Sequence, residues 1–90
     1  MFCVELSQHA QRFLNKLDAH IKLRIEERLK RLGENPVPSD VKFICRADGD
    51  KVFRYRIGDY RALYKVKETD KIVLIAKIDK RPRVYGRLDL

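Results

Sequence analysis

Cysteine is scarce in this chain: among 90 residues only Cys3 and Cys45 occur, far apart and outside any CxxC spacing. That excludes a disulfide framework and a thiolate zinc clip, and both are expected to be small buried hydrophobes. No apolar run approaches the ~20 residues of a membrane span. The opening Met1-Phe2-Cys3-Val4-Glu5-Leu6 is too short and too acidic for a secretory signal. A soluble, cytoplasmic protein with no membrane partner is expected. The sequence also lacks a P-loop, a nucleophile elbow, a Gly-rich phosphate loop, an HExxH pair and any evident carboxylate cluster. The expectation is no cofactor and no metal. Internal repeats and low-complexity segments are missing too. A chain of this length builds one core, so residues 1–90 are expected to form a single domain with a surface site instead of a deep chamber.

Basic charge is abundant. The formal net charge is +8 and the sequence pI about 9.8, values that point to a polyanionic partner. The charge is uneven. Residues 1–40 carry seven basic against six acidic side chains, whereas the remainder carries fourteen against seven. An anion is therefore expected to bind the second part of the chain.

Phe2, Val4 and Leu6 alternate with Cys3 and Glu5, the pattern of a short half-buried strand, and Ser7 offers an N-cap to a helix beginning directly after it. Ala10, Phe13, Leu14 and Leu17, then Ile21, Ile25, Leu29 and Leu32, form an apolar helical stripe. Gly33 is expected to close it as the C′ residue. One helix over 8–32 would be about 37 Å long, more than the ~31 Å diameter of a domain this size. A break near Leu17-Asp18-Ala19 is predicted, with Asp18 as the second N-cap. Glu26/Lys30 and Glu27/Arg31 are i,i+4 pairs of a solvated face. Asn35-Pro36-Val37-Pro38 forbids helix. Turn signals at Asp48-Gly49-Asp50, Gly58-Asp59 and Glu68-Thr69-Asp70 then divide strands at about 41–46, 52–57, 60–67 and 71–79. The fold class is α+β, a helix hairpin packed on one face of a mainly antiparallel sheet in the order β-α-α-β-β-β-β. Lys80 to Leu90 reads as an irregular tail.

A two-residue loop at Gly58-Asp59 sets Arg56 opposite Arg61, Tyr55 opposite Ala62, Arg54 opposite Leu63 and Phe53 opposite Tyr64. Because facing residues share a side of the sheet, Phe53, Tyr55, Ile57, Tyr60, Ala62, Tyr64 and Val66 form the core side. Arg54, Arg56, Arg61, Leu63, Lys65 and Lys67 form the other. Pairing Val66 with Ile72 extends the core side through Ile72, Leu74, Ala76 and Ile78 and brings Lys77 beside Arg61. Leu63, Val73 and Ile75 then lie on the basic side and need cover. Arg56 directly across from Arg61 destabilises the ladder, and such local faults are expected at functional sites. Arginine grips phosphate through paired donors and lysine adds point charge, so a phosphodiester backbone is the natural ligand. The face offers no histidine for proton transfer, because His9 and His20 lie on the helices. Catalysis without metal would rest on cations stabilising a pentacoordinate phosphorane.

Phe53-Arg54-Tyr55-Arg56-Ile57-Gly58-Asp59-Tyr60-Arg61-Ala62-Leu63-Tyr64, preceded by the helix hairpin and followed by Lys80-Arg81-Pro82-Arg83-Val84-Tyr85, resembles the RelE/ParE toxin superfamily over nearly the whole chain. The resemblance to RelE-type members implies a ribosome-dependent endoribonuclease (an mRNA interferase) that cleaves mRNA in the A site. It also implies attack by the 2′-hydroxyl on the neighbouring phosphate without metal, and a RelB-like antitoxin that holds the toxin inactive. Carried over by position, Arg54 and Arg56 match the paired basic residues that bind phosphate, and Arg61 the arginine that stabilises the transition state. Arg81 or Arg83 matches the late catalytic arginine, and Tyr85 the tyrosine that stacks on or orients the substrate. Lys65, Lys67, Lys77 and Lys80 would add RNA binding. The chain departs from the family at two places: lysine often fills the positions of Arg54 and Arg56, and histidine often stands at or near Lys80. Alternatives are a ParE-like or diverged toxin that inhibits a protein target such as DNA gyrase, and a non-catalytic RNA-binding module.

Overall fold

Ser7 starts the helical layer as its place before the apolar stripe predicts. The computed structural model describes residues 1–81. A strand β1 (Cys3–Leu6) runs into helix α1 (Gln8–Asn15), and the Ala10 amide donates to Ser7 Oγ at 3.1 Å, the N-cap bond that satisfies an orphan donor of the first turn. The same hydroxyl donates to the Ala76 carbonyl at 2.7 Å, so one side chain both caps a helix and ties it to the sheet. The chain breaks at 16–18 and resumes as α2 (Ala19–Glu34). Asp18 occupies the N-cap position, but its side chain makes no capping hydrogen bond.

Gly33 corrects one expectation. It lies inside α2, whose C-cap is Asn35, and its value is its bareness. A Cβ there would stand 2.9 Å from the Phe2 carbonyl oxygen, and the Phe2 amide donates to the Gly33 carbonyl at 2.8 Å. The approach of β1 to the helix demands glycine.

Strands β2 (Val41–Ala47), β3 (Asp50–Ile57), β4 (Tyr60–Lys67) and β5 (Ile72–Lys80) complete a five-stranded sheet ordered β1-β5-β4-β3-β2. β1 pairs parallel to β5 and the remaining pairs are antiparallel. Asp48 and Gly49 both have positive φ (55° and 85°), the I′ pattern, while at Gly58-Asp59 only Gly58 does (φ 59°), the II′ pattern. The Gly58-Asp59 turn fixes the β3–β4 register as predicted: Ile57 faces Tyr60, Arg56 faces Arg61 and Arg54 faces Leu63.

The β4–β5 register differs from expectation by one residue at its start. Lys71 takes φ 58° and closes a loop that puts Val66 opposite Val73, not Ile72. The core residues are accordingly Val73 and Ile75, while Ile72, Leu74 and Ala76 are half-buried and not part of it. A bulge then intervenes: Tyr64 pairs with Ile75 and Leu63 with Lys77, leaving Ala76 as the extra residue, whose carbonyl accepts from the Ser7 hydroxyl. The bulge flips the alternation, so Ile78 is buried and Lys77 points outward as expected.

Both helices cover one face of the sheet, where Leu14, Ile25, Leu29 and Leu32 join Tyr55, Ile57, Ala62, Tyr64, Val73, Ile75 and Ile78 in one apolar cluster. Tyr64 is fully buried, and its hydroxyl donates to the Pro36 carbonyl at 2.6 Å, fastening the loop between α2 and β2. Cys3 and Cys45 are exposed, not buried, because both alternate onto the open face at the two edges of the sheet. Among the described residues no helix is long and apolar enough to cross a membrane.

Candidate nucleic-acid interface

The open face of the sheet is built in rows, each row one rung of the ladder. Nearest the Gly58-Asp59 turn, Arg56 on β3 and Arg61 on β4 stand directly opposite one another, with Asp79 of β5 next across from Arg61. The following outward row reads Lys42, Arg54, Leu63 and Lys77 across four strands. Beyond it come Cys45, Val52, Lys65, Leu74 and Glu5, then Lys67, Ile72 and Cys3. Arg61 and Lys67 are six residues apart on one strand, about 20 Å at ~3.3 Å per residue. The cations form a track instead of a single cluster.

Each cation is held differently. Arg56 is exposed, and Arg54 and Arg61 are half-buried. Lys77 Nζ lies 3.3 Å from Asp79 Oδ2 and Lys65 Nζ lies 3.4 Å from Asp48 Oδ2, exposed pairs whose energetic worth is small. Lys77 does not lie across from Arg61. The register shift sets it opposite Leu63 and gives the place across from Arg61 to Asp79. Lys80 leaves the open face, because it pairs with Tyr60 and so belongs to the helix side. The Arg81 amide donates to the Asp59 carbonyl at 2.6 Å, which ties the end of β5 to the turn beside Arg56 and Arg61. Arg83 and Tyr85 lie outside the described residues.

Two side chains of this face escape the hairpin arithmetic. Lys42 joins the row beside Arg54, and Asp79 places a carboxylate where the sequence suggests cations alone. A register count from the Asp48-Gly49 turn would set Lys42 opposite Tyr55; a bulge between Phe43 and Cys45 shifts it to Arg54 and the open face. Plain alternation along β5 already sets Asp79 on the open side with Lys77; its place across from Arg61 comes from the register shift and the bulge at Ala76, which have no signature in the local residue pattern. Of the three apolar groups expected on this face, only Leu63 is there, together with Val52, Ile72 and Leu74, all half-buried.

Beneath the face the tyrosines pack. The Phe53 and Tyr64 rings stack at 5.6 Å, and Phe13 meets Tyr60 edge-on at 6.0 Å. Arg28 Nε donates to the Tyr55 hydroxyl at 3.1 Å. Burial pushes the Tyr64 phenol well above its usual range, and the neighbouring Tyr55 and Asp40 add to the shift. A phenol so held is a structural hydrogen-bond donor and stays neutral at physiological pH.

Known proteins share this architecture. A family model described as the ParE toxin of the type II toxin-antitoxin system parDE matches residues 4–85. An archaeal protein named as toxin RelE1, from Methanocaldococcus jannaschii, is 34% identical over 85 residues, covering 93% of this chain and 94% of its own. The archaeal RelE–RelB complex from Pyrococcus horikoshii OT3 is similar in structure, with a TM-score of 0.82 at 29% identity over 92% of this chain and 98% of that one. The toxin–antitoxin complex RelBE2 from Mycobacterium tuberculosis gives a TM-score of 0.73 at 28% identity, over 89% and 98% of the two chains. Two helices packed on a mixed five-stranded sheet are thus the architecture of a toxin class. The chain belongs to the RelE/ParE superfamily, as a RelE-family toxin of the type II toxin-antitoxin class.

Proposed function

We propose that this toxin is a ribosome-dependent endoribonuclease that cuts mRNA in the A site, and that a RelB-like antitoxin holds it inactive. The observation that carries the reading is the rung at which Arg56 faces Arg61 on an open sheet face. Two guanidinium groups side by side destabilise a ladder but suit the two negative oxygens of a phosphodiester. In the reaction the 2′-oxygen forms a bond to phosphorus, the bond from phosphorus to the 5′-oxygen breaks, and the proton leaving the 2′-hydroxyl is matched by one delivered to the departing 5′-oxygen. Arg61 stabilises the charge gathering on the non-bridging oxygens of the phosphorane. Arg54 and Arg56 hold the flanking backbone and favour the ionised 2′-oxygen through their field, since a guanidinium with a pKa above ~12 is a poor proton acceptor. Arg81 or Arg83 supplies the late catalytic arginine and Tyr85 orients the substrate. Lys65, Lys67, Lys77 and Lys80 extend the phosphate path.

The antitoxin assignment is supported by similar structures that are toxin–antitoxin complexes, those from Pyrococcus horikoshii and Mycobacterium tuberculosis among them, and by the half-buried Val52, Leu63, Ile72 and Leu74 among the cations. An amphipathic acidic segment matches such a surface. Purified toxin mixed with programmed ribosomes is expected to cut mRNA at the A-site codon, and Arg61→Ala to lower the rate by about 10²–10³, the usual loss when one oxyanion donor is removed. Intact mRNA with wild-type toxin would overturn the reading. A second reading, inhibition of a protein target such as DNA gyrase, is favoured by the ParE description of the matching family model. It predicts intact mRNA together with lost supercoiling activity.

A further inference from the structure

Cations also gather on the other side of the Gly58-Asp59 turn. Arg24 projects from α2 so that its Nη2 lies 3.8 Å from where a Cβ on Gly58 would be. Gly58 has no side chain to keep the guanidinium off the turn. Lys80, exposed and paired with Tyr60, lies on this helix side of the same end of β5. Arg56 and Arg61 flank the turn on the open side, and the Arg81 amide is fastened to Asp59 within it. Three separate parts of the fold, α2, the β3–β4 hairpin and the end of β5, therefore bring cations to one hairpin tip. Among the described residues the strands bring the carboxylates of Asp59 and Asp79 to that end, and Glu27 stands one turn along α2 from Arg24.

Arg24 combines a solvated position on α2 with a place over the hairpin tip. Arg24 is exposed; along α2 its i,i+4 neighbour is Arg28, a like charge, and its i,i+3 neighbour is Glu27. Arg28 itself is drawn away toward the Tyr55 hydroxyl and lies 3.9 Å from Asp40. Arg24 keeps its guanidinium beside the hairpin tip. We infer that Arg24 is an RNA-binding residue, and that the phosphate path crosses the Gly58-Asp59 tip from the open sheet face to Arg24 and Lys80 on the helix side. The inference rests on the RNA reading given above and extends it to a second layer of the molecule.

The test is binding of a fluorescein-labelled single-stranded oligoribonucleotide of about 12 nucleotides, a length typical of single-strand binding sites, over a series of salt concentrations. Each phosphate contact contributes about 0.7 to the slope of log K against log salt for single strands. Arg24→Ala is expected to weaken binding several-fold and to lower the slope by about that amount. Arg46→Ala serves as the charge-matched control. It removes one exposed cation from the opposite end of the sheet, where Arg46 Nη1 donates to the Gly49 carbonyl at 3.2 Å. Arg24→Lys should retain most of the slope, which separates a phosphate contact from a packing role. An Arg24→Ala protein that binds like Arg46→Ala, while the wild type binds RNA with a steep salt dependence, overturns the inference and leaves the RNA reading intact. A wild type with no salt-dependent RNA binding overturns both.

Discussion

Tyr64 shows how much a single side chain can decide here. Its ring fills the centre of the sheet, and its hydroxyl holds the Pro36 carbonyl of the loop that returns the chain from α2 to β2. Tyr64→Phe keeps the ring and strands that carbonyl, and is expected to cost about 1–2 kcal/mol in urea unfolding at about pH 7. The pH dependence has a definite sign. The folded-state pKa is raised by burial, so the stabilisation is complete below the unfolded value near ~10 and is lost as pH rises beyond it toward the folded value. The wild type should weaken there while the phenylalanine variant does not, and the gap between them should narrow. A gap that widens above about pH 10 would show that the phenol is not held neutral by the fold.

At the scale of elements, the juncture of α2 with β1 is the most restrictive. Replacing a helical glycine by alanine ordinarily stabilises by about 0.5–1 kcal/mol. At Gly33 the new Cβ would meet the Phe2 carbonyl oxygen at 2.9 Å, a backbone atom that cannot swing aside. Gly33→Ala is therefore expected to destabilise by about 1–3 kcal/mol, the range for overpacking a tight site. Amide exchange at Phe2 should rise with it, since that amide donates to Gly33. A stabilised variant would mean that β1 can slide along α2. The Ala76 bulge is the other decisive element. It allows Val73 and Ile75 to fill the core while Lys77 and Asp79 face outward, an exchange of faces that strict alternation forbids.

For the whole molecule the question is what a net charge of +8 does to a chain this short. Self-repulsion opposes compaction, and the rung at which Arg56 faces Arg61 is one place where like charges meet. Adding salt shortens the range of that repulsion from about 30 Å at 0.01 M to about 8 Å at 0.15 M. The melting temperature should therefore rise over this interval while RNA affinity falls, two trends of opposite sign from one cause. Arg56→Thr should diminish both. Parallel trends, with stability and affinity falling together, would count against an open face with an excess of positive charge.

Local pattern and turn chemistry alone determine much of this protein. The Ser7 cap, the break before Ala19, the II′ pattern at Gly58-Asp59 and the pairing of Arg54 with Leu63 and Arg56 with Arg61 all arise from residues close in the chain. A two-residue turn leaves one register open to the strands it joins. Tertiary structure decided what depends on longer loops and on approach between layers. The loop closed by Lys71 and the bulge at Ala76 decided which residues of β5 enter the core, Val73 and Ile75 in place of Ile72, Leu74 and Ala76, and brought Asp79 opposite Arg61. Arg24 reaches the hairpin tip because α2 packs over that end of the sheet, and no spacing between residues 24 and 58 encodes it. Periodicity reports which side of an element is apolar; where two elements meet is fixed by packing among residues distant in sequence.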